Sequence, residues 1–220
     1  MYTVQDLFDL DRTQAKGYLS AFEYPWEALG GLKEYIVSVG KTLPKEEYRE
    51  ISPCVWIHVS ATLAPSAQIQ PPCIIGAGTE VRQSAFIRGS AFIGENCVVG
   101  NSTEIKNAVL FDGVQVPHYN YVGDSILGYK AHMGAGSITS NVKSDKSLVV
   151  IRHGKESIET GLKKVGAMLG DFAEIGCNSV LNPGTVIGRG SVVYPLSCVR
   201  GTVAENSIYK SANDIVEKAK

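Results

Sequence analysis

Nine aliphatic residues recur at every sixth position: Ile57, Leu63, Ile69, Ile75, Val81, Ile87, Ile93, Val99 and Ile105. Four residues after each of the first eight comes a small or compact side chain: Ala61, Ala67, Cys73, Thr79, Ala85, Ala91, Cys97 and Thr103. A period of six belongs neither to an α-helix nor to a simple alternating strand. It predicts stacked hexapeptide units, a parallel β-helix. Each unit supplies one short strand and one corner. The aliphatic residue points inward, the small residue lets the corner close, and Gly76, Gly94 and Gly100 allow backbone angles that a Cβ would oppose. Three units complete a coil of 18 residues, and coils stack about 4.8 Å apart. Residues 18 apart therefore lie one above the other.

Of the 220 residues, 44% are hydrophobic, enough for one elongated core with caps. The net charge is -1 and no basic run occurs, which argues against nucleic acid or an anionic membrane as partner. No apolar stretch approaches the roughly 20 residues of a membrane span. The first ten residues lack the basic and apolar regions of a secretory signal. The five Cys share no metal-ligand spacing, and a reduced cytoplasmic setting is the simplest expectation. No three His fall at neighbouring coil positions, so no metal is expected.

The chain divides into an N-terminal helical cap and connector (1–50), the β-helix (51–203) with an inserted loop (140–165), and a C-terminal helix (204–220). Thr3 and Asp6 suggest a helix cap, and Leu29, Leu32, Tyr35 and Ile36 fall at helical spacing before Gly40. The N-terminal segment is expected to cover the open end of the β-helix. After Ile105 the register slips by one, to Leu110, Val116 and Val122, then again to Leu127 and Met133. Such an irregularity often marks a functional face. Residues 140–165 break the period, are rich in Lys, and contain a hairpin-like core at Leu148–Ile151. An insertion of this kind is a binding loop or a solvated excursion. The repeat resumes at Leu169, Ile175, Leu181, Ile187, Val193 and Val199. Residues 213–220 read as a terminal helix.

Arg88 and Lys106 each follow an inward aliphatic residue and lie 18 apart, so they stack at one corner. Two stacked cations suit an anion such as phosphate, although a solvated pair is the plainer alternative. His118 lies about one coil further on, with Tyr121 three residues later. A His beside a phosphate corner can serve as a general base. Gly134–Asn141, GAGSITSN, lacks the spacing and Lys of a P-loop and reads as a corner.

His118-Tyr-Asn-Tyr121-Val-Gly-Asp124 followed by Gly134-Ala-Gly136-Ser-Ile-Thr-Ser-Asn141 resembles the C-terminal half of the bifunctional glucosamine-1-phosphate acetyltransferase/N-acetylglucosamine-1-phosphate uridylyltransferases and the related archaeal sugar-1-phosphate enzymes. The resemblance covers roughly residues 50–200. It implies an all-β fold, a left-handed parallel β-helix, and a homotrimer with its site between subunits. It implies that His118 is the catalytic base. Arg88, Lys106, Tyr121, His132, Asn141, Lys163 and Lys164 would bind the sugar phosphate. Ala135, Cys177 and Pro195 would contact acetyl-CoA, the co-substrate. Four positions depart from the family: His132 replaces an Asn, Val142 a Tyr, and Tyr194-Pro195 an Ala-Ala corner at the coenzyme. Fifty residues cannot hold a nucleotidyltransferase domain, so that activity is not expected of this chain. The leading expectation is acetyl transfer to the amine of a sugar phosphate. The alternative is a non-catalytic β-helix that partners a separate nucleotidyltransferase.

Overall fold

The computed structural model describes residues 1–219. Three parallel ladders form the three faces of a prism. The first face runs through Val55–His58, Cys73–Ile75, Ala91–Ile93 and on to Thr202–Val203. The second includes Glu80–Val81, Val98–Asn101, Gln115–His118, His132–Met133 and Glu174–Ile175. The third includes Phe86–Ile87, the start of Glu104–Leu110, the start of Tyr121–Leu127, Ile138–Thr139 and Val180–Leu181. The expected parallel β-helix is therefore present. Its 18-residue stacking appears directly in the pairs Cys73↔Ala91, Glu80↔Val98 and Phe86↔Glu104.

The inward aliphatic residues from Ile75 to Ile105 are buried. The small residues do more than close corners. Thr79 Oγ1 donates to the Gly94 carbonyl at 2.8 Å, and Thr103 Oγ1 to the Val116 carbonyl at 2.9 Å. Each hydroxyl thereby ties its corner to a backbone carbonyl 15 or 13 residues further along the chain. Leu63 and Ile69, in the first coil, are only partly buried.

The N-terminal segment does not cover that open end. It is helical, as expected, with the Thr3–Asp6 capping box formed at Val4–Leu7, a 3-10 turn at Pro25–Gly30 and a helix at Leu32–Gly40. It lies along the outside of the first face. There the outward side chains are Trp56, Ile74, Phe92, Val109, Ile126 and Met168, all buried. Phe8 packs on Phe111 at 5.0 Å and Tyr35 on Phe92 at 6.0 Å. Removing each such side chain from water stabilises by about 1.5–3 kcal/mol, a gain that capping one end could not match. Asp171 latches the segment: its carboxylate accepts the Asp9 N–H at 2.7 Å and the Tyr129 N–H at 2.8 Å. The connector ends in a strand, Tyr48–Ser52, antiparallel to Val55–His58.

The insertion carries the expected hairpin, shifted to Val150–His153/Glu156–Glu159, and packs back on the coils instead of forming a solvated excursion. Val149 and Ile151 are fully buried, and Thr202 Oγ1 donates to the Arg152 carbonyl at 2.7 Å. The terminal helix is absent: Ser207–Ser211 joins the second face and turns into the antiparallel strand Asp214–Glu217. Strand addition pairs the exposed edge of the last coil, which outweighs local helix propensity. Lys220, the last residue of the expected helix, lies outside the described residues. Among the described residues, no helix is long and apolar enough to cross a membrane.

Candidate functional site

The register slip has a definite structural form. Glu104–Leu110 and Tyr121–Leu127 each run unbroken from the third face into the first, through corners one residue tighter than the others. Asn107 and Asp124 occupy those corners at φ 48° and 49°. Asn and Asp tolerate this left-handed conformation better than other residues with a Cβ. The stacking interval here falls to 17, as in Lys106↔Gly123 and Val122↔Thr139. Asn107, Asp124 and Asn141, spaced by 17, consequently meet.

Asp124 is the hub of this cluster. Its carboxylate, 3% exposed as a residue, accepts from Asn107 Nδ2 at 2.8 Å and Lys106 Nζ at 3.2 Å. Asn141 Nδ2 also donates to Asp124, and to the Tyr121 hydroxyl at 3.1 Å. Tyr121 arches over Gly123, where a Cβ would collide with its ring. Burial, then the Asp124 carboxylate, pushes the Tyr121 phenol above its ordinary pKa. It therefore stays a neutral hydrogen-bond donor at physiological pH.

Arg88 stacks one coil below Lys106, as the 18-residue rule requires; its N–H donates to the Ile105 carbonyl. Each of the two cations has a carboxylate partner. Arg88 pairs with Glu104 at 2.6 Å, and Lys106 with Asp124. The stacked charges are thus balanced within the chain, and an incoming phosphate would compete with Glu104 for the exposed Arg88. Lys163 and Lys164 are exposed just before Val165, whose N–H donates to the Asn141 carbonyl at 3.1 Å. They flank the same corner.

His118 stands at the opposite edge of the third face. Its ring is exposed, beside Tyr119 at φ 52°. The next coil is docked onto it, because the Gly136 N–H donates to the His118 carbonyl at 3.0 Å. Asn120 fixes this turn by accepting the His118 N–H at 3.1 Å and donating to the Gly134 carbonyl at 2.8 Å. Ala135, Cys177 and Pro195 follow up the same edge. Asn178 N–H donates to Ala135 O, Leu196 N–H to Cys177 O, and Tyr194 is 44% exposed beside Pro195.

Two clusters are therefore formed within one chain. Arg88, Lys106, Tyr121, Asn141, Lys163 and Lys164 gather at one edge of the third face. His118, Ala135, Cys177 and Pro195 gather at the other. His132 joins neither. It sits at the other edge of the second face, level with Gln115, with Nδ1 2.8 Å from Glu174 Oε2. Glu104, Asn107 and Asp124 escaped the reading of the sequence. The signal was available: 107, 124 and 141 repeat the slipped interval.

The fold and these corners define a hexapeptide-repeat β-helix with polar sites along one open face. Residues 69–151 match the family described as the GMPPB C-terminal domain. Across 95% of its length the chain is 30% identical to a bifunctional protein GlmU of Methanococcus maripaludis, covering 51% of that protein. It is 31% identical over 103 residues to a bifunctional sugar-1-phosphate nucleotidylyltransferase/acetyltransferase of Sulfurisphaera tokodaii, 47% of this chain and 26% of that one. PerB from Caulobacter crescentus, solved with CoA and GDP-perosamine, is 18% identical with TM-score 0.42 over 67% of this chain and 52% of that chain, too distant to carry an argument. The chain spans about half, or less, of the length of the first curated relatives it matches. With the stacked coils, the sequence matches fit the C-terminal β-helix domain of GlmU-like enzymes.

Proposed function

We propose that this chain is an acetyl-CoA-dependent N-acetyltransferase acting on the amine of a sugar phosphate. The observation that carries this reading is the third face itself, with an exposed His at one edge and a cation, Tyr and Asn cluster at the other. The S. tokodaii relative, named as an acetyltransferase, supports the same reading. Lys106, Arg88 and the exposed Lys163 and Lys164 would hold the phosphate, and the Tyr121 hydroxyl and Asn141 the sugar. His118 would take the proton from the amine as nitrogen attacks the thioester carbon. A C–N bond forms, the C–S bond breaks, and the thiolate leaves with a proton returned to it. The Ala135 N–H, which makes no hydrogen bond among the described residues, would face the developing oxyanion.

The two clusters lie at opposite edges of one face, so a single copy does not bring them together. We infer a homotrimer in which His118 of one copy faces the Lys106 corner of the next. Mixing inactive His118→Ala with inactive Lys106→Ala protein should then restore part of the activity. No recovery after subunit exchange would count against the shared site. Calorimetric titration with acetyl-CoA tests the coenzyme edge. Saturable binding by the wild type supports the transferase. Binding only after Tyr194→Ala would mean that Tyr194 closes the channel, and would favour a non-catalytic partner of a separate nucleotidyltransferase.

A further inference from the structure

The fold-back of the insertion leaves a cavity of about 300 Å³ against the corner that also carries Lys106, several coils further along. Its polar lining is Lys143, Arg152, Asn182 and Arg200. A neighbouring pocket that shares Lys143, Asn182 and Arg200 adds Ser140, Ser144 and Asp145. Three cations thus meet one carboxylate, and that carboxylate is committed: Asp145 lies 3.5 Å from Lys143 and accepts the Ser147 N–H at 3.0 Å. Arg152 and Arg200 have no ion-pair partner among the described residues. The contrast with Arg88 and Lys106 is direct, because both of those are neutralised by carboxylates.

Uncompensated like charges held around one cavity repel, and an anion inside relieves that repulsion. Two guanidinium forks and an ammonium match a diphosphate better than a carboxylate or a single phosphate. The geometry points to a diphosphate-binding subsite at Lys143, Arg152 and Arg200, separate from the Arg88–Lys106 corner. The diphosphate belongs either to the coenzyme or to a nucleotide-linked sugar. The subsite rests on the cavity and its charges, and it stands or falls independently of acetyl transfer.

The test is calorimetric titration of the full chain with inorganic pyrophosphate at about 0.15 M salt, where exposed long-range attraction is largely screened. In an Arg88→Gln/Lys106→Gln background, which removes the other phosphate corner, saturable binding should persist, and adding Arg152→Gln/Arg200→Gln should weaken it at least tenfold. Arg152 and Arg200 are both exposed, and the contact to Thr202 uses the Arg152 backbone, so the fold should persist; thermal melting checks this. CoA against pantetheine, and UDP against uridine, identify the source: the phosphate-bearing probe that loses affinity in the Arg152/Arg200 variant names it. Absence of saturable pyrophosphate binding, loss that follows Arg88 and Lys106 instead, or unchanged affinity for both CoA and UDP would overturn the proposal.

Discussion

The first and third faces follow one inward code and differ only in what they present outward. The first presents Trp56, Ile74, Phe92, Val109, Ile126 and Met168, all buried, with the chain's own N-terminal segment packed along it, as where Tyr35 lies on Phe92. The third presents Glu104, Tyr121, Ile138 and Val180, half-buried and uncovered, with polar corners at both edges. In a solenoid the inward residues fix the fold, and the outward ones decide whether a face stabilises or acts. The covered face spends its outward positions on stability, which leaves the open face free to carry polar and charged groups.

Substitutions should separate the two faces. Phe92→Ala, on the covered face, should lower unfolding free energy by about 3–5 kcal/mol in urea melts, because it empties a fully buried site beneath Tyr35. Phe86→Ala, on the open face, should lower it by only about 1 kcal/mol. Equal losses would erase the distinction. Asp171→Ala should come next, at about 2–4 kcal/mol, since two backbone N–H groups lose their acceptor. Its loss should also raise proteolysis within residues 1–40.

Asp124→Asn should sharpen the comparison from the other side. Asn keeps the left-handed corner but removes the charge that fixes Lys106. Stability should fall by about 1 kcal/mol while transferase turnover falls at least tenfold, measured as thiol release. The smallest effect should be that of pH on Asp112. Burial raises its carboxyl pKa in the folded state, so the native protein binds this proton more readily than the unfolded chain. Asp112→Asn should therefore gain stability relative to wild type at pH 7. That advantage should shrink as pH falls through the raised pKa toward the ordinary value. An advantage that grows on acidification would reverse the assignment.

The inward code was fully legible, because every sixth residue reports on one interior and the spacing is local. Arg88 and Lys106 were placed by the same arithmetic. Asp124 lies within the His118–Asp124 motif, but its role depends on the 17-residue interval that sets it against Asn107 and Asn141, a contact between coils that the local pattern does not show. The course of the N-terminal segment was harder to read. Its docking surface is spread one residue per coil, and Trp56, Ile74 and Phe92 form a patch only when counted by 18. The C-terminal strand was misread as helix because what forms it is the open edge of the last coil, a tertiary feature. His132 was placed by resemblance alone, and within the chain its partner is Glu174.

The central claim is that the open third face performs acetyl transfer with His118 as its base. Thiol release from acetyl-CoA in the presence of glucosamine-1-phosphate, wild type against His118→Ala, tests it most directly. The account predicts acceptor-dependent release by the wild type and a loss of at least a hundredfold in the variant, with melting temperature unchanged because the ring is exposed. Wild-type protein that binds both compounds yet releases no thiol, or a His118→Ala protein as active as wild type, would contradict it.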